Sequence, residues 1–528
     1  MTPFDYQLLL VRLLPHSILI VGAIVVLFLD QARPRHWNPW NRSVTAVFIG
    51  LLTVIASILV ITRQGETGSF YKDMLQITPF VRLVQIGLLI LTAATLLIAS
   101  PEKFTDHIGE YVALLLMAAT GLLLLAGTAE LLTAFIALEL TSLSLYILTA
   151  FHKGSIHSAE AGLKYFLFGS VAAAFTLFGI SLIYGLAGST SFNEIGAALG
   201  RQPLSPLLIV GLVLTSIGFA FKMAAAPMHL WAPDAYQGAP VPSAALIASG
   251  SKLASFVLFL KFFAIGAPAH VGTASWASAR PGWALIIAAI AATSIILGNL
   301  VALAQSNVRR LVAYSAIAHA GYALIALLAQ SQNGVASAVF YLFTYGLAVV
   351  GIFGVIGLVE SRHGELSFAD LHGLSRRSPL LAISLLVFIL SLAGIPPLAG
   401  FFAKFYVFIA ALETSRTAGV PGLLWIVVLA IGGSAVSLYY YLQVLKHAFV
   451  IDDPAVEAAL IPVSFIQKLA ISLLAAAVVL FGCFPNVLLQ RLGVSGSAAP
   501  AEQHEQHEHE HHTGKPPGDS THFFAELR

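Results

Sequence analysis

Apolar runs of roughly twenty residues follow one another along most of this chain, separated by short polar connectors. A helix needs about 20 mostly apolar residues to cross a bilayer. Inside the hydrocarbon the backbone must also satisfy its own hydrogen bonds, which makes helices the default. The pattern predicts fourteen membrane helices, at about 8–29, 44–62, 78–99, 109–127, 129–151, 161–187, 206–230, 241–264, 281–304, 308–329, 335–359, 379–411, 422–447 and 464–489. The pairs 109–127/129–151 and 281–304/308–329 are joined by very short turns, so each is expected to be an antiparallel hairpin. The first run, Leu8 to Leu29, is too long for a signal-peptide core and lacks a small-residue cleavage site before Asp30. It reads as the first membrane helix.

Composition removes the other classes. The 528 residues carry 27 basic and 25 acidic side chains, 58% are hydrophobic, and mean hydropathy is +0.87. An ordinary soluble domain has roughly 25% charged residues, whereas this chain has 10%. That is too few to cover a soluble surface, and a net charge of +2 gives no electrostatic case for nucleic acid. The lone cysteine, Cys483, excludes a disulfide framework and a cysteine-ligated cluster or zinc site. Glycine signatures of nucleotide-binding loops are missing too. No cofactor is therefore expected in this chain.

Loop charges set the orientation. One set of connectors holds Arg33, Arg35, Arg42, Lys103, Lys153, Arg309, Arg310, Arg362, Arg376, Arg377 and Lys446, and the opposite set is poorer in Lys and Arg. The richer set should be cytoplasmic, which places both termini on the periplasmic side of a bacterial inner membrane. The stretch 493–528 differs, being polar and holding His504, His507, His509, His511, His512 and His522 among glutamates. Clustered histidines can bind transition metals, but the composition reads first as a solvated, disordered tail.

Charged side chains deep in a membrane are costly, and each is a functional candidate by default. Arg82, Lys261 and Lys468 lie near span ends and are expected to snorkel to the interface. Glu139, Lys164, Lys222, Lys252 and Lys404 remain deep, joined by His229 and His319. Glu139 and Lys164 lie on consecutive spans, so an ion pair between them is expected, either as a fixed packing contact or as an electrostatic switch. Lys222 stands in GFAFKMAAAPMHLWAPDAYQGAP, where Pro227 and Pro233 interrupt the helical pattern around His229. Lys404 stands in SLAGIPPLAGFFAKFYVF beside Gly394, Pro396, Pro397 and Gly400. Two interrupted helices at corresponding positions, each with a lysine at the break, point to an internal repeat and a transport site. Ordinary proline kinks with snorkelling lysines fit less well, because both lysines sit well inside apolar runs.

Lys252, in LIASGSKLASFVLF, lies half-way along its span among small residues, and His319 lies in AYSAIAHAGYALIALL. Burial disfavours the charged form of an amine, so buried lysines can exchange protons with nearby water. A neutral imidazole is a good relay, although a lone histidine can also be a satisfied core residue. No substrate-sized polar pocket is evident and carboxylates for a sodium site are sparse. The cargo this points to is the proton.

The segments LELTSLSLYIL, GLKYFLFGS, GFAFKMAAAPMHLWAPDAYQGAP, SKLASF, NVRRLVAYSAIAHAGY and LAGIPPLAGFFAKFYVF resemble the antiporter-like membrane subunits of respiratory complex I, nearest to the subunit N type of bacterial NADH–quinone oxidoreductase. The likeness covers the chain up to its histidine-rich tail. It implies an all-α polytopic fold of fourteen transmembrane helices with an inverted five-helix repeat, spans 4–8 and 9–13, and broken helices 7 and 12. It implies a division into an N-terminal three-helix segment (1–108), a first repeat (109–270), a second, inverted repeat (271–450), span 14 (451–492) and the tail (493–528). The family's helix-5 glutamate falls on Glu139, its helix-6 lysine on Lys164, its broken-helix lysine on Lys222, its helix-8 lysine on Lys252 and its helix-12 position on Lys404. In sister subunits that last position looks like a carboxylate, so lysine here favours the subunit N type.

The resemblance further implies proton translocation driven by NADH oxidation and quinone reduction, with FMN, iron–sulfur clusters and quinone in partner subunits. The partners expected are neighbouring membrane subunits of complex I, together with lipid and protons. Three alternatives stand beside this reading: a subunit of a multi-subunit Na+/H+ antiporter, a subunit of a hydrogenase- or ferredoxin-driven pump, and a non-transporting scaffold.

Overall fold

The structure is a computed structural model and describes residues 6–32, 39–99, 105–276, 278–360, 366–417, 422–451 and 461–493. The histidine-rich tail lies outside the described residues. The chain begins with α1 (Tyr6–Arg12) and α2 (Leu14–Ala32), parted at Leu13, where Pro15 removes a backbone donor from the first turn of α2. Next come α3 (Pro39–Arg63), a hairpin of β1 (Gly68–Phe70) and β2 (Leu75–Ile77), α4 (Pro79–Ala99), α5 (Ile108–Gly127), α6 (Leu131–Thr149), α7 (Ile156–Ala187) and the short α8 (Phe192–Leu199). The two strands pair antiparallel with Ser69 opposite Gln76. Neither the hairpin nor α8 was legible in the apolar pattern, because both lie in polar connectors.

The middle of the chain is less regular. Helix α9 (Pro206–Lys222) is followed by a turn and by α10 (Ala232–Gly238). The next span is built from α11 (Val241–Leu246), a π-helical turn Ile247–Ser251, α12 (Lys252–Lys261) and a second π-helical turn Phe262–Gly266. Then come α13 (Trp283–Leu303), α14 (Val308–Leu328), α15 (Gln332–Glu360), the small α16 (Leu374–Arg377), α17 (Pro379–Ala393), α18 (Ala399–Thr417), α19 (Leu424–Phe449), α20 (Phe465–Cys483) and α21 (Asn486–Leu489).

Twelve helical spans among the described residues are long and apolar enough to cross a membrane, and Pro206–Lys222 and Pro379–Ala393 are shorter apolar helices. The expected spans 206–230 and 379–411 are thus each two pieces. Helix starts follow local chemistry. Ser155, Ser191, Ser205 and Ser464 accept from the backbone N–H three residues on, and Asn307 accepts from Arg310 N at 3.1 Å. At 32 residues α7 is about 48 Å long, more than the roughly 30 Å of a hydrocarbon core.

Burial sorts the helices into layers. The span Val241–Gly266 is wholly enclosed and Val308–Leu328 nearly so, while Leu14–Ala32, Ile156–Ala187 and Phe465–Cys483 bury only a minority of their residues. The outer helices show bare apolar side chains such as Phe28, Phe166 and Leu473, the surface expected to face lipid. Glycines let the layers meet backbone to backbone. A Cβ on Gly298 of α13 would lie 2.5 Å from Ala318 N of α14, and one on Gly482 of α20 would lie 2.1 Å from the carbonyl oxygen of Pro397.

The Gly482 contact is against backbone, which cannot rotate away. Gly482→Val should destabilise the protein by about 1–3 kcal/mol or more, seen as a lower Tm of the purified protein in detergent. Gly185→Ala, with open space around its Cβ, should leave Tm close to that of the parent.

Candidate functional site

The first break begins where α9 runs out. Pro227 cannot donate, and Ala224 takes a left-handed φ of +55°. The backbone turns back through Ala224 N to Phe221 O (2.9 Å) and Ala225 N to Ala220 O (2.9 Å). Two side chains satisfy groups freed by the break. Trp231 Nε1 donates to Phe221 O at 3.1 Å, and Ser294 Oγ of α13 accepts from Ala226 N at 2.9 Å. The helix resumes as α10. Lys222 is the last residue of α9 and is 2% exposed. Its Nζ donates to the Tyr165 hydroxyl at 3.2 Å and sits 5.6 and 5.3 Å from the ring centroids of Tyr146 and Tyr165, within cation–π range. Tyr165 stacks on Trp231 with centroids 4.1 Å apart. Glu139 and Lys222 line one cavity of about 20 Å³, room for a single water.

The second break follows the same logic with different side chains. Helix α17 ends at Ala393, and Gly394 takes φ +87°, a conformation that favours glycine. Ser391 Oγ accepts from Gly400 N at 3.1 Å. The orphan carbonyl of Ala393 accepts from Lys404 Nζ at 3.1 Å, and the same ammonium donates to Ser434 Oγ at 2.7 Å. A cation at a helix C-terminus is also favoured by the helix dipole. Lys404 is 6% exposed, with Nζ 5.3 Å from the Tyr322 ring centroid.

Lys252 follows the first π-helical turn of its span, and such turns recur at functional sites. Its ammonium donates to Ala316 O, three residues before His319 on α14, and lies 5.2 Å from the Tyr345 ring centroid. That ring lies 4.8 Å from the imidazole centroid of His319. Tyr345's hydroxyl is buried and has no partner among the described residues. Both nitrogens of His319 are engaged: Nδ1 with the Tyr341 hydroxyl at 2.7 Å and Nε2 with the Tyr441 hydroxyl at 3.1 Å. The Tyr441 hydroxyl also meets Ser315 Oγ. Tyr322, 5.7 Å from His319 between centroids, completes the way to Lys404, and its hydroxyl accepts from Asn299 Nδ2 at 2.9 Å. The aromatic chain Tyr345–His319–Tyr322 therefore spans the interval between Lys252 and Lys404.

Lys164 departs from expectation. It bonds to Glu160 (2.7 Å) and Asp234 (2.9 Å), not to Glu139. The reason is position: α7 begins at Ile156, so Lys164 lies within its first three turns, close to α10 and 40% exposed. Asp234 also receives Arg310 Nη1 at 2.6 Å. Burial raises the Asp234 carboxyl, but hydrogen bonds from Lys164 and Arg310 outweigh that and hold it below the usual carboxylate range. Next to it, Arg309 donates to the carbonyls of Gln237 (2.9 Å) and Ala239 (2.7 Å) and pairs with Glu360. His229 is half-buried in the turn between α9 and α10, its carbonyl accepting from Ala232 N at 2.9 Å.

Lys261 is a correction. It does not snorkel but is fully enclosed, donating to Ala126 O at 3.2 Å. Sequence reasoning placed it by its distance from the span end, yet α5 supplies the carbonyl that holds it and α8 packs against the π-helical turn that follows it. The tyrosines were missed as well. The spacing of Tyr341 and Tyr345, four apart on one helix face, was the available signal.

Relatives give this geometry a context. A family model described as NADH:quinone oxidoreductase/Mrp antiporter, TM, matches residues 128–431. The chain is 47% identical to NADH-quinone oxidoreductase subunit N 2 of Acidobacterium capsulatum, across 93% of this chain and 100% of that one. Among solved structures it is similar to a chain of respiratory complex I from Thermus thermophilus with bound aureothin, with TM-score 0.74, 32% identity, and 90% and 99% of the two chains covered. A chain of the Mrp complex from Dietzia sp. shares the fold at TM-score 0.75 and 19% identity, covering 92% and 96%.

The hydrogen bond from Ala226 N to Ser294 can be tested alone. Ser294→Ala should leave a buried N–H unpaired and cost about 1–3 kcal/mol, read as a lower Tm. Thr293→Ala, on the exposed neighbouring position, should change stability by less than about 0.5 kcal/mol.

Proposed function

The chain belongs to the family of NADH–quinone oxidoreductase subunit N, and from that premise we propose that it moves protons through the line Glu139, Lys222, Lys252, His319 and Lys404. The observation that carries this reading is the interior chain from Lys252 through Tyr345, His319 and Tyr322 to Lys404, enclosed in apolar helices. A protonated lysine can pass N–H protons through water or a hydroxyl and be left as a neutral amine. A neutral imidazole has one donor and one acceptor nitrogen, so a proton can arrive at one and leave from the other. Lys252 and Lys404 flank His319, and like charges repel. Loading one site therefore promotes release from the next.

In this reading Lys222 takes up a proton from the cytoplasmic side across the water-sized cavity it shares with Glu139. Lys252 and His319 carry it through the centre, Lys404 passes it toward release, and His229 lies beside the uptake break as an auxiliary relay. Lys164 acts at the edge, where the ion-pair network with Asp234 and Arg310 can open and close. The chain is arranged as fourteen spans with both termini periplasmic in a bacterial inner membrane. Residues 109–270 and 271–450 form the two inverted repeats, preceded by 1–108 and followed by 451–492 and the tail. NADH, FMN, iron–sulfur clusters and quinone are handled by partner subunits, and neighbouring membrane subunits flank this one.

Sodium–proton exchange is the second reading, supported by the shared fold of the Mrp chain. Beyond Glu139 the interior line is built of lysines and a histidine rather than the several carboxylates a sodium ion prefers, which favours the proton pump.

The test uses inverted membrane vesicles carrying the assembled complex. Lys222→Ala and Lys404→Ala should each lower NADH-driven quinone reduction and the accompanying proton gradient by about tenfold or more, with the complex still assembled. Redox activity and pumping at parent levels in both variants would sink the relay. A gradient that depends on added sodium would favour the second reading.

A further inference from the structure

We propose that the groove between α2, α5, α6 and α7 binds one phospholipid with an amine-bearing zwitterionic headgroup, its phosphate on Lys153 and its ammonium on Glu110. The groove has a volume of about 840 Å³, inside the range of about 300–1,000 Å³ usual for ligand sites. Leu27 of α2, Met117 of α5, Leu143 and Ile147 of α6 and Phe166 of α7 line it. Ala113 and Gly162 are buried beside them, and their small size leaves the space open.

Two charged residues interrupt this apolar lining, and both stand at one end. Glu110 lies in the first turn of α5 and Lys153 in the turn between α6 and α7, so they share a membrane face. Lys153 is exposed and has no ion pair among the described residues. One carboxylate oxygen of Glu110 engages His107 Nδ1 at 3.2 Å, and the other is left to accept from an ammonium.

Length selects lipid over protein. The lining runs from Glu110 to Met117 on α5 and from Ala150 to Leu143 on α6. Each stretch is seven residues, about 10 Å of helix rise. The hydrocarbon of one leaflet is about 15 Å deep, half of the bilayer core, so the groove ends within a single leaflet. A transmembrane helix of a neighbouring subunit would need about 30 Å of seat. The exposed Leu132 and Ile136, in the far half of α6, lie outside the groove.

Charge decides which lipid. Acyl chains gain little by exchanging one apolar surrounding for another, so the choice among lipids falls to the headgroup. A lysine by itself attracts any phosphate, that of an anionic lipid included. A carboxylate beside it repels a headgroup of net negative charge and accepts from a primary ammonium. Together they favour a headgroup that carries both charges. The site also reaches inward, because Tyr146 lines both the groove and the cavity shared by Glu139 and Lys222. The bound tail thus backs the wall of that cavity.

The test uses inverted vesicles carrying the assembled complex, loaded with phosphatidylethanolamine or phosphatidylglycerol at equal mole fraction, each with a photoactivatable diazirine on an acyl chain. After irradiation, adducts are mapped by mass spectrometry to segments 113–117, 143–147 and 162–166, with the outer helix α20 as reference. Relative to α20, the groove should take the ethanolamine probe over the glycerol probe by about twofold to fivefold, the scale of one exposed ion pair. Glu110→Gln should turn that preference toward phosphatidylglycerol, and Lys153→Gln should lower the groove adducts of both probes. A parent groove that labels like α20 with both probes is ordinary bilayer contact, and the proposal falls. Groove segments without adducts while α20 labels would overturn it as well and give the seat to a neighbouring subunit. An unchanged preference in Glu110→Gln would overturn the headgroup assignment. The parent comparison needs no substitution, so it decides even where a variant complex does not assemble.

Discussion

A backbone group released inside an apolar bundle has to find a partner, and most of the unusual chemistry of this chain sits where that requirement arises. An unsatisfied carbonyl or N–H costs several kcal/mol in hydrocarbon. Each of the two broken helices releases such groups inside the bundle. At the second break the partner of Ala393 O is Lys404 itself. At the first, Trp231 and Ser294 take up the freed carbonyl and N–H, which leaves Lys222 at the helix end for the tyrosine cluster. At Lys404 the break and the lysine thus explain one another: the break supplies a polar partner for the buried amine, and the amine completes the break.

The same arrangement makes the amines useful. A lysine held by a carbonyl and a hydroxyl keeps those hydrogen-bond partners close whether it carries two or three protons, although only its N–H groups can donate. Tyrosine suits the space between such sites, since its ring packs among apolar side chains while its hydroxyl both gives and accepts. The cluster of Tyr322, Tyr341, Tyr345, Tyr440 and Tyr441 around His319 gathers hydroxyls and an imidazole among apolar side chains. Asn299, bonded to both Tyr322 and Tyr440, fixes the orientation of that cluster.

Much of this is legible in the amino-acid sequence alone. Apolar runs of bilayer length marked the helices, and prolines beside Lys222 and Gly394 marked the breaks, because hydrocarbon thickness and the missing proline donor are properties of sequence. Three things were not legible, and each depends on which helices become neighbours. Lys164 reads as deep when its span is counted from residue 161, but α7 starts at Ile156 and the lysine emerges beside Asp234. Lys261 reads as interfacial by its place near a span end, yet it is fully enclosed, held by a carbonyl of α5 with the short helix α8 packed beside the turn that follows it. The tyrosines carry no charge, so a search for costly residues passes over them; only their convergence on His319 gives them meaning.

Helix α14 has one further consequence. Arg309 and Arg310, at its start, grip the carbonyls of Gln237 and Ala239 and the carboxylate of Asp234. His319 follows ten residues after Arg309, about 15 Å along the same axis. A helix is stiff along its length and close-packed interiors resist compression. The piece of broken helix that follows the first break and the imidazole at the centre of the molecule are therefore mounted on a single rod. Neither can slide along that rod's axis without carrying the other, so a displacement felt by α10 arrives at the cluster around His319 as motion and needs no chain of intervening side chains to relay it.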